Sequence, residues 1–272
     1  MQQYLLSFAV DVFKLCIWLL LLMVIFIPLE RLFAQHPQKI FREEFLTDLG
    51  YYFLNGLLPK LILVLPFSII AWGVHRFLPT DFYAWMATFP VRSRFVMAMI
   101  VGELGGYWAH RWMHEIPFLW RFHAIHHSAE QMDWLVNTRA HPLDLVFTRL
   151  CGLLPIYILG LAQPTGKSVD LVPLLYAIVG TVWSFFVHAN VRWRFGFLER
   201  VIATPAFHHW HHTKDGEQYI NKNYAAIFPW VDKIFGTFYL PKNKWPKKYG
   251  IDQPIAPSLV GQLLEPLERK PT

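Results

Sequence analysis

An all-α, polytopic membrane helical bundle with a histidine-rich helical cap is the fold this sequence predicts, on three observations. The 272 residues are 54% hydrophobic and only 16% charged, with a mean hydropathy of +0.30, whereas soluble domains carry about 25% charged residues. Several apolar stretches approach the roughly 20 residues that a helix needs to cross a bilayer. The 13 histidines are gathered rather than scattered, five between residues 110 and 127 and four between 208 and 212.

Residues 4–27 form the first apolar run, with Asp11 and Lys14 near its start. No basic residue precedes Lys14 and no small-residue cleavage site follows, so the run reads as a span and not as a secretory signal. Residues 49–77 are long enough for a tilted span. Gly56, Pro59, Lys60, Pro66 and Gly73 interrupt them, so either one kinked helix or a re-entrant pair is expected. Residues 95–109 are a shorter run that leads straight into histidines. Residues 143–161 and 171–187 complete the series, joined by a turn with Pro164 and Gly166, and Asp144 and Arg149 blur where the fourth run begins. About four to five spans are therefore expected. The chain divides into N-terminal transmembrane helices (1–94), a histidine-bearing domain (95–240) and a basic tail (241–272).

The net charge is +6, and 12 of the 25 Lys and Arg residues lie from Arg192 onward. With no soluble module to carry a nucleic-acid surface, this bias suits a membrane-facing tail and excludes nucleic acid as the expected partner. Counting basic residues per loop puts the C-terminus and the histidine segments in the cytoplasm. Residues 192–207 mix Trp193, Phe195 and Phe197 with Arg192, Arg194 and Arg200, as expected of a helix lying among headgroups. Lys242, Lys244, Lys247 and Lys248 surround Trp245, a pattern for anionic lipid and equally for a solvated tail. Cys16 and Cys151 sit in apolar stretches and suggest neither a disulfide framework nor a thiolate site.

Two partial motifs fail. Gly166-Lys167-Ser168 lacks the earlier glycine of a phosphate loop, since Leu161 stands there, and His114-Glu115 lacks the second histidine of a zinc-protease helix, since Phe118 stands there. The histidines themselves form three groups: His110-x-x-x-His114, His123-x-x-His126-His127 and His208-His209-Trp210-His211-His212. Residues three or four apart share a helix face, so His110 with His114, and His123 with His127, can point at one ion. Adjacent residues diverge by about 100°, which suits His126 and His127 to two neighbouring sites. Eight imidazoles exceed the about four to six ligands of one ion and suit two. Lone histidines such as His36 and His75 read as ordinary core or surface residues.

Imidazole alone does not name the metal. A histidine-only pair of sites favours redox chemistry with dioxygen over hydrolysis. A metal-binding or transport protein is the alternative, but it expects ligands in mid-span, and these clusters stand at span ends. Neutral imidazoles need a partner on the other ring nitrogen, and Glu103, Glu115, Glu130, Asp133, Asn137, Asp144, Asn190 and Asn223 are the nearby candidates. Trp108, Trp112, Trp120, Phe122 and Trp134 suit either a water-excluding lining or an aromatic belt.

With Tyr107-Trp108-Ala109-His110-Arg111, Asn137-Thr138-Arg139-Ala140-His141-Pro142, Lys222-Asn223-Tyr224 and residues 230–238 alongside the three groups, the chain resembles the fatty acid hydroxylase/sterol desaturase superfamily from about residue 101 to 239. The resemblance implies two iron ions (with zinc able to replace them on isolation), dioxygen, a lipid substrate, and electrons from NAD(P)H through a separate redox protein. It implies hydroxylation or desaturation, and makes His110, His114, His123, His126, His127, His208, His211 and His212 metal ligands. His188 resembles a further ligand of the family in its place. His209, His141 and Asn190 are candidates for an additional ligand or an orienting role.

Overall fold

The computed structural model describes residues 2–162 and 171–268, the side chain of His75 excepted; the turn containing Pro164, Gly166, Lys167 and Ser168 lies outside them. The described residues hold helices and no strands, with two isolated β-bridges, Ala34 to Val191 and Thr213 to Tyr249.

Helices α1 (Gln2–Phe33) and α2 (Phe45–Phe77) are both long and almost wholly apolar. Pro59 and Pro66 are tolerated inside α2, so the chain forms one continuous helix here instead of a re-entrant pair. A short α3 (Thr80–Ala87) leads to α4 (Val91–Glu115), which begins after Pro90 and runs on past the apolar stretch to carry His110 and His114. Next come α5 (Pro117–His127), a 3₁₀ turn over Trp134–Thr138, α6 (Pro142–Ile158) and α7 (Leu171–His188). The remainder is a 3₁₀ turn over Gly196–Arg200, α8 (Pro205–His211), a 3₁₀ turn over Glu217–Tyr219, α9 (Trp230–Ile234) and α10 (Leu259–Glu268).

Among the described residues, three helices are long and apolar enough to cross a membrane: Gln2–Phe33, Phe45–Val74 and Leu171–His188. The chain is an integral membrane protein. The expected third and fourth spans are not among the three. Helix α4 carries Arg92, Arg94 and Glu103 and buries one face against the rest of the protein, while α6 has 17 residues and carries Asp144 in its first turn. The helix expected over residues 192–207 is also not formed. Gly196 takes a left-handed φ of 60° and Pro205 starts a new helix, so only the 3₁₀ turn between them is ordered as helix.

Helices α4 and α6 approach each other closely at glycines. A Cβ on Gly105 would collide with the Cys151 carbonyl oxygen of α6, and one on Gly102 with Ile156 of α6 and the Tyr176 hydroxyl of α7. This approach brings the end of α4, with its histidines, against the start of α6 and Asp144. Phe26 of α1, Trp134 and Phe185 of α7 pack around one another, with Phe26 and Trp134 stacked at 6.0 Å. The membrane helices and the 128–141 segment therefore share one core.

Candidate metal centre

Helix spacing brings nine histidines into two adjoining groups. His110, His114, His123, His127 and His211 form one, and His126, His188, His208 and His212 the other, with ligand atoms inside each group within 4.8 Å of one another. The neighbouring residues His126 and His127 go to different groups, as do His211 and His212. Rings from the two groups touch, His127 stacking on His212 at 4.4 Å. The second group is buried throughout, while His110 and His114 of the first are half-buried.

Four of the outer nitrogens are held by backbone carbonyls. Nδ1 donates to the carbonyl oxygen of Tyr224 from His110 (2.7 Å), of Arg139 from His126 (2.9 Å), of Ser184 from His188 (2.7 Å) and of Lys222 from His211 (2.8 Å). His123 Nδ1 donates instead to Asp144 Oδ2 at 2.8 Å. A carbonyl oxygen can only accept, so Nδ1 carries the proton in these rings. Burial pushes the pKa of His123, His126 and His211 well below the ordinary value, which keeps each ring neutral and leaves Nε2 a bare lone pair.

Those bare nitrogens face one another. Nε2 of His110 and His123 stand 3.1 Å apart, and Nε2 of His126 and His188 3.2 Å apart. Two lone pairs at that distance repel unless a cation lies between them. Two nitrogens at right angles on an ion, each bonded at about 2.1 Å, are separated by about 3.0 Å. The groups therefore fit metal ions with more than four ligand positions. The buried Nε2 of His114 and His211, which lack any hydrogen-bond partner, fit the same account.

Two further layers of contacts hold the carbonyls. Asp232 accepts from the backbone N–H of Tyr224 (2.8 Å) and Ala225 (2.9 Å) and from Thr237 Oγ1 (2.7 Å), fixing the strap whose carbonyls orient His110 and His211. Asn223 lies in that strap at φ 60° and ties it to Phe207 and Tyr239 through its side chain. On the other flank Arg139 Nε donates to Asp48 Oδ1 at 2.6 Å, Arg42 Nε donates to Asp133 Oδ2 at 2.7 Å, and Arg42 also pairs with Asp48. All four side chains are buried, and they anchor the segment whose carbonyl holds His126.

Of the remaining candidates, none faces the cluster as a ligand. His209 is wholly buried, with Nδ1 2.9 Å from the Tyr249 hydroxyl and Nε2 donating to the carbonyls of Ala189 (3.1 Å) and His188 (3.3 Å). His141 caps α6, its Nδ1 accepting from Leu143 N–H at 3.1 Å. Asn190 Oδ1 accepts from the backbone N–H of Gln35 (3.1 Å) and His36 (2.9 Å), tying the end of α7 to the end of α1. Glu103 accepts from the N–H of Ile227 and Phe228, Glu115 pairs with Arg111, and Asp133 with Arg42. Among the five aromatic residues, Trp120 covers the cluster, 5.2 Å from His114 and 5.5 Å from His127. Phe122 packs on His141 and Trp134 on Phe26. Asn221, exposed and at φ 60°, hydrogen-bonds His114 and carries no motif signal in the sequence.

The model of the fatty acid hydroxylase family matches residues 95–237, the stretch that supplies all nine histidines. The chain belongs to that family. Its relatives include an ornithine lipid hydroxylase of Rhizobium tropici, 34% identical over 68% of this chain and 54% of the relative. A human alkylglycerol monooxygenase is 31% identical over 56% of this chain and 32% of the relative. A Delta(7)-sterol 5(6)-desaturase of Gibberella zeae is 27% identical over 66% of this chain and 52% of the relative. The match thus spans about half the length of the hydroxylase and the desaturase, and about a third of the monooxygenase. No solved structure matches the chain.

Proposed function

We propose that this fatty acid hydroxylase family member is a membrane-bound di-iron oxygenase that hydroxylates, or desaturates, a C–H bond of a lipid. The observation that carries the proposal is the pair of adjoining all-histidine groups with bare nitrogens facing inward. His110, His114, His123, His127 and His211 would hold one iron, and His126, His188, His208 and His212 the other. When bound, such a pair supplies activation of dioxygen and the oxidising power to attack an unactivated C–H bond.

The chain's own residues do the rest. Neutral imidazoles leave their lone pairs free for metal, and the carbonyls of Tyr224, Arg139, Ser184 and Lys222, with Asp144, fix the ring orientations. Trp120 excludes water above His114 and His127. The half-buried side at His110 and His114 is the side from which a lipid approaches, and the sealed second group stays away from solvent. Hydroxylation consumes two electrons and two protons per dioxygen, sending one oxygen atom to the lipid and one to water. The electrons are expected from NAD(P)H through a separate redox protein. Residues 95–240 form the catalytic domain in this reading, residues 1–94 anchor it, residues 241–272 are a basic tail, and the histidine face and C-terminus lie in the cytoplasm. His209, His141 and Asn190 support the centre from outside.

The names of the relatives suggest the first substrates: an ornithine lipid and an alkylglycerol. The test supplies ¹⁸O₂ to the full chain in lipid vesicles with a reductase system and analyses the lipids by mass spectrometry. A lipid that gains one ¹⁸O atom supports hydroxylation, and one that loses two hydrogens supports desaturation. No oxidised lipid from an iron-loaded protein would overturn the reading.

A further inference from the structure

His209 is buried at the heart of the protein yet belongs to neither histidine group. Its Nε2 donates to the backbone of His188 and Ala189, so it is hydrogen-bonded directly to a residue of the sealed second group. Its other face meets the Trp245 ring at 5.4 Å, nearly edge-on at 78°. Trp245 is half-buried, and the flanking Lys242, Lys244, Lys247 and Lys248 are exposed. The loop is held in place. The Lys244 carbonyl accepts from Trp210 Nε1 at 3.2 Å, and the N–H groups of Lys247 and Lys248 donate to the Asp215 carboxylate at 2.8 and 2.9 Å.

We propose that the lysine-fringed surface around Trp245 is the docking face for an acidic one-electron carrier protein, with Trp245 and His209 linking it to His188. The proposal rests on the metal-centre reading above. Lysines and a tryptophan alone suit an anionic membrane as well as an acidic protein. The buried aromatic link behind Trp245 is what a lipid contact does not call for. Electron transfer weakens steeply across gaps and is carried better by packed rings and hydrogen bonds, and Trp245 and His209 form such a connection from the sealed group to the lysine-fringed surface. Each encounter oxidises one reduced carrier by one electron and reduces one ferric ion to ferrous, so two encounters supply one lipid oxidation.

The test uses the full chain, iron-loaded, in nanodiscs of neutral lipid, mixed in a stopped-flow instrument with a reduced acidic plant-type [2Fe–2S] ferredoxin. Two variants are compared with wild type, Lys244→Glu/Lys247→Glu and Trp245→Leu, with dithionite as a small reductant that needs no docking. The charge reversal is expected to lower the association rate by about tenfold or more at low salt, with the difference shrinking as salt rises. Trp245→Leu is expected to bind ferredoxin normally and slow electron transfer at saturating carrier. Dithionite should reduce all three alike. Unaltered ferredoxin rates in iron-loaded variants would overturn the proposal, as would a lysine variant that loses only its binding to anionic vesicles. Absence of iron from the wild type would register separately, as failure of the metal reading itself. The exposed lysines keep the test sound if Trp245→Leu fails to fold.

Discussion

His123 donates from Nδ1 to the buried carboxylate of Asp144 at 2.8 Å, whereas Nδ1 of His110, His126, His188 and His211 donates to backbone carbonyls. Asp144 stands in the first turn of α6, where the helix dipole favours a negative charge, and its Oδ1 is 3.3 Å from Thr148 Oγ1. A carboxylate behind a ligating imidazole raises the basicity of the ligand and fixes its orientation. Asp144→Asn keeps the shape and removes the charge. It is expected to weaken metal affinity by about 10–100-fold, read by competition with a chelator. Wild-type affinity in this variant would show that the pair is only packing.

Asp48 is wholly buried between Arg42 and Arg139. Asp48→Ala leaves two guanidinium groups short of a partner, a change that costs about 3–5 kcal/mol when a buried pair is broken. The Arg139 carbonyl orients His126, so the damage should reach the centre as well. The expected result is a lower unfolding temperature in detergent together with weakened metal retention. Unchanged values for both would remove the lattice from the account.

Gly105 and Gly106 are neighbours with opposite surroundings. A Cβ on Gly105 would strike the α6 backbone at Cys151, whereas one on Gly106 meets nothing within 4 Å. Gly105→Ala is expected to push α4 from α6 and cost about 1–3 kcal/mol. Gly106→Ala should be neutral or stabilising by up to about 1 kcal/mol, since alanine suits a helix better than glycine. Thermal unfolding of the two variants side by side decides it; equal effects would contradict the close helix contact.

The histidine arrangement was legible because helix geometry is local. A spacing of four puts His110 over His114, and adjacency sends His126 and His127 apart, whatever the rest of the chain does. What orients them was not legible. Every residue has a carbonyl, so no side-chain signal marks Tyr224, Arg139, Ser184 or Lys222 as the ones that reach a histidine. The Arg42, Asp48, Asp133 and Arg139 lattice joins residues 91 positions apart, beyond any local pattern. Of the eight polar residues near the clusters, Asp144 is the carboxylate whose side chain meets a histidine of either group, and the packing of α5 against α6, which no local pattern shows, selects it. Residues 192–207 carried an amphipathic pattern, but a left-handed Gly196 and a helix start at Pro205 override it. The apolar run of residues 95–109 is short for a span, and α4 continues past it to Glu115, with its buried face against the rest of the protein.

The most direct measurement is metal content with iron spectroscopy on the full chain purified anaerobically in mild detergent, beside a His126→Ala variant. His126 belongs to the second group alone. The account predicts two irons per wild-type chain, oxidised by dioxygen after reduction, and loss of iron from the second group in the variant. A single iron per chain, or two irons retained unchanged without His126, would contradict it.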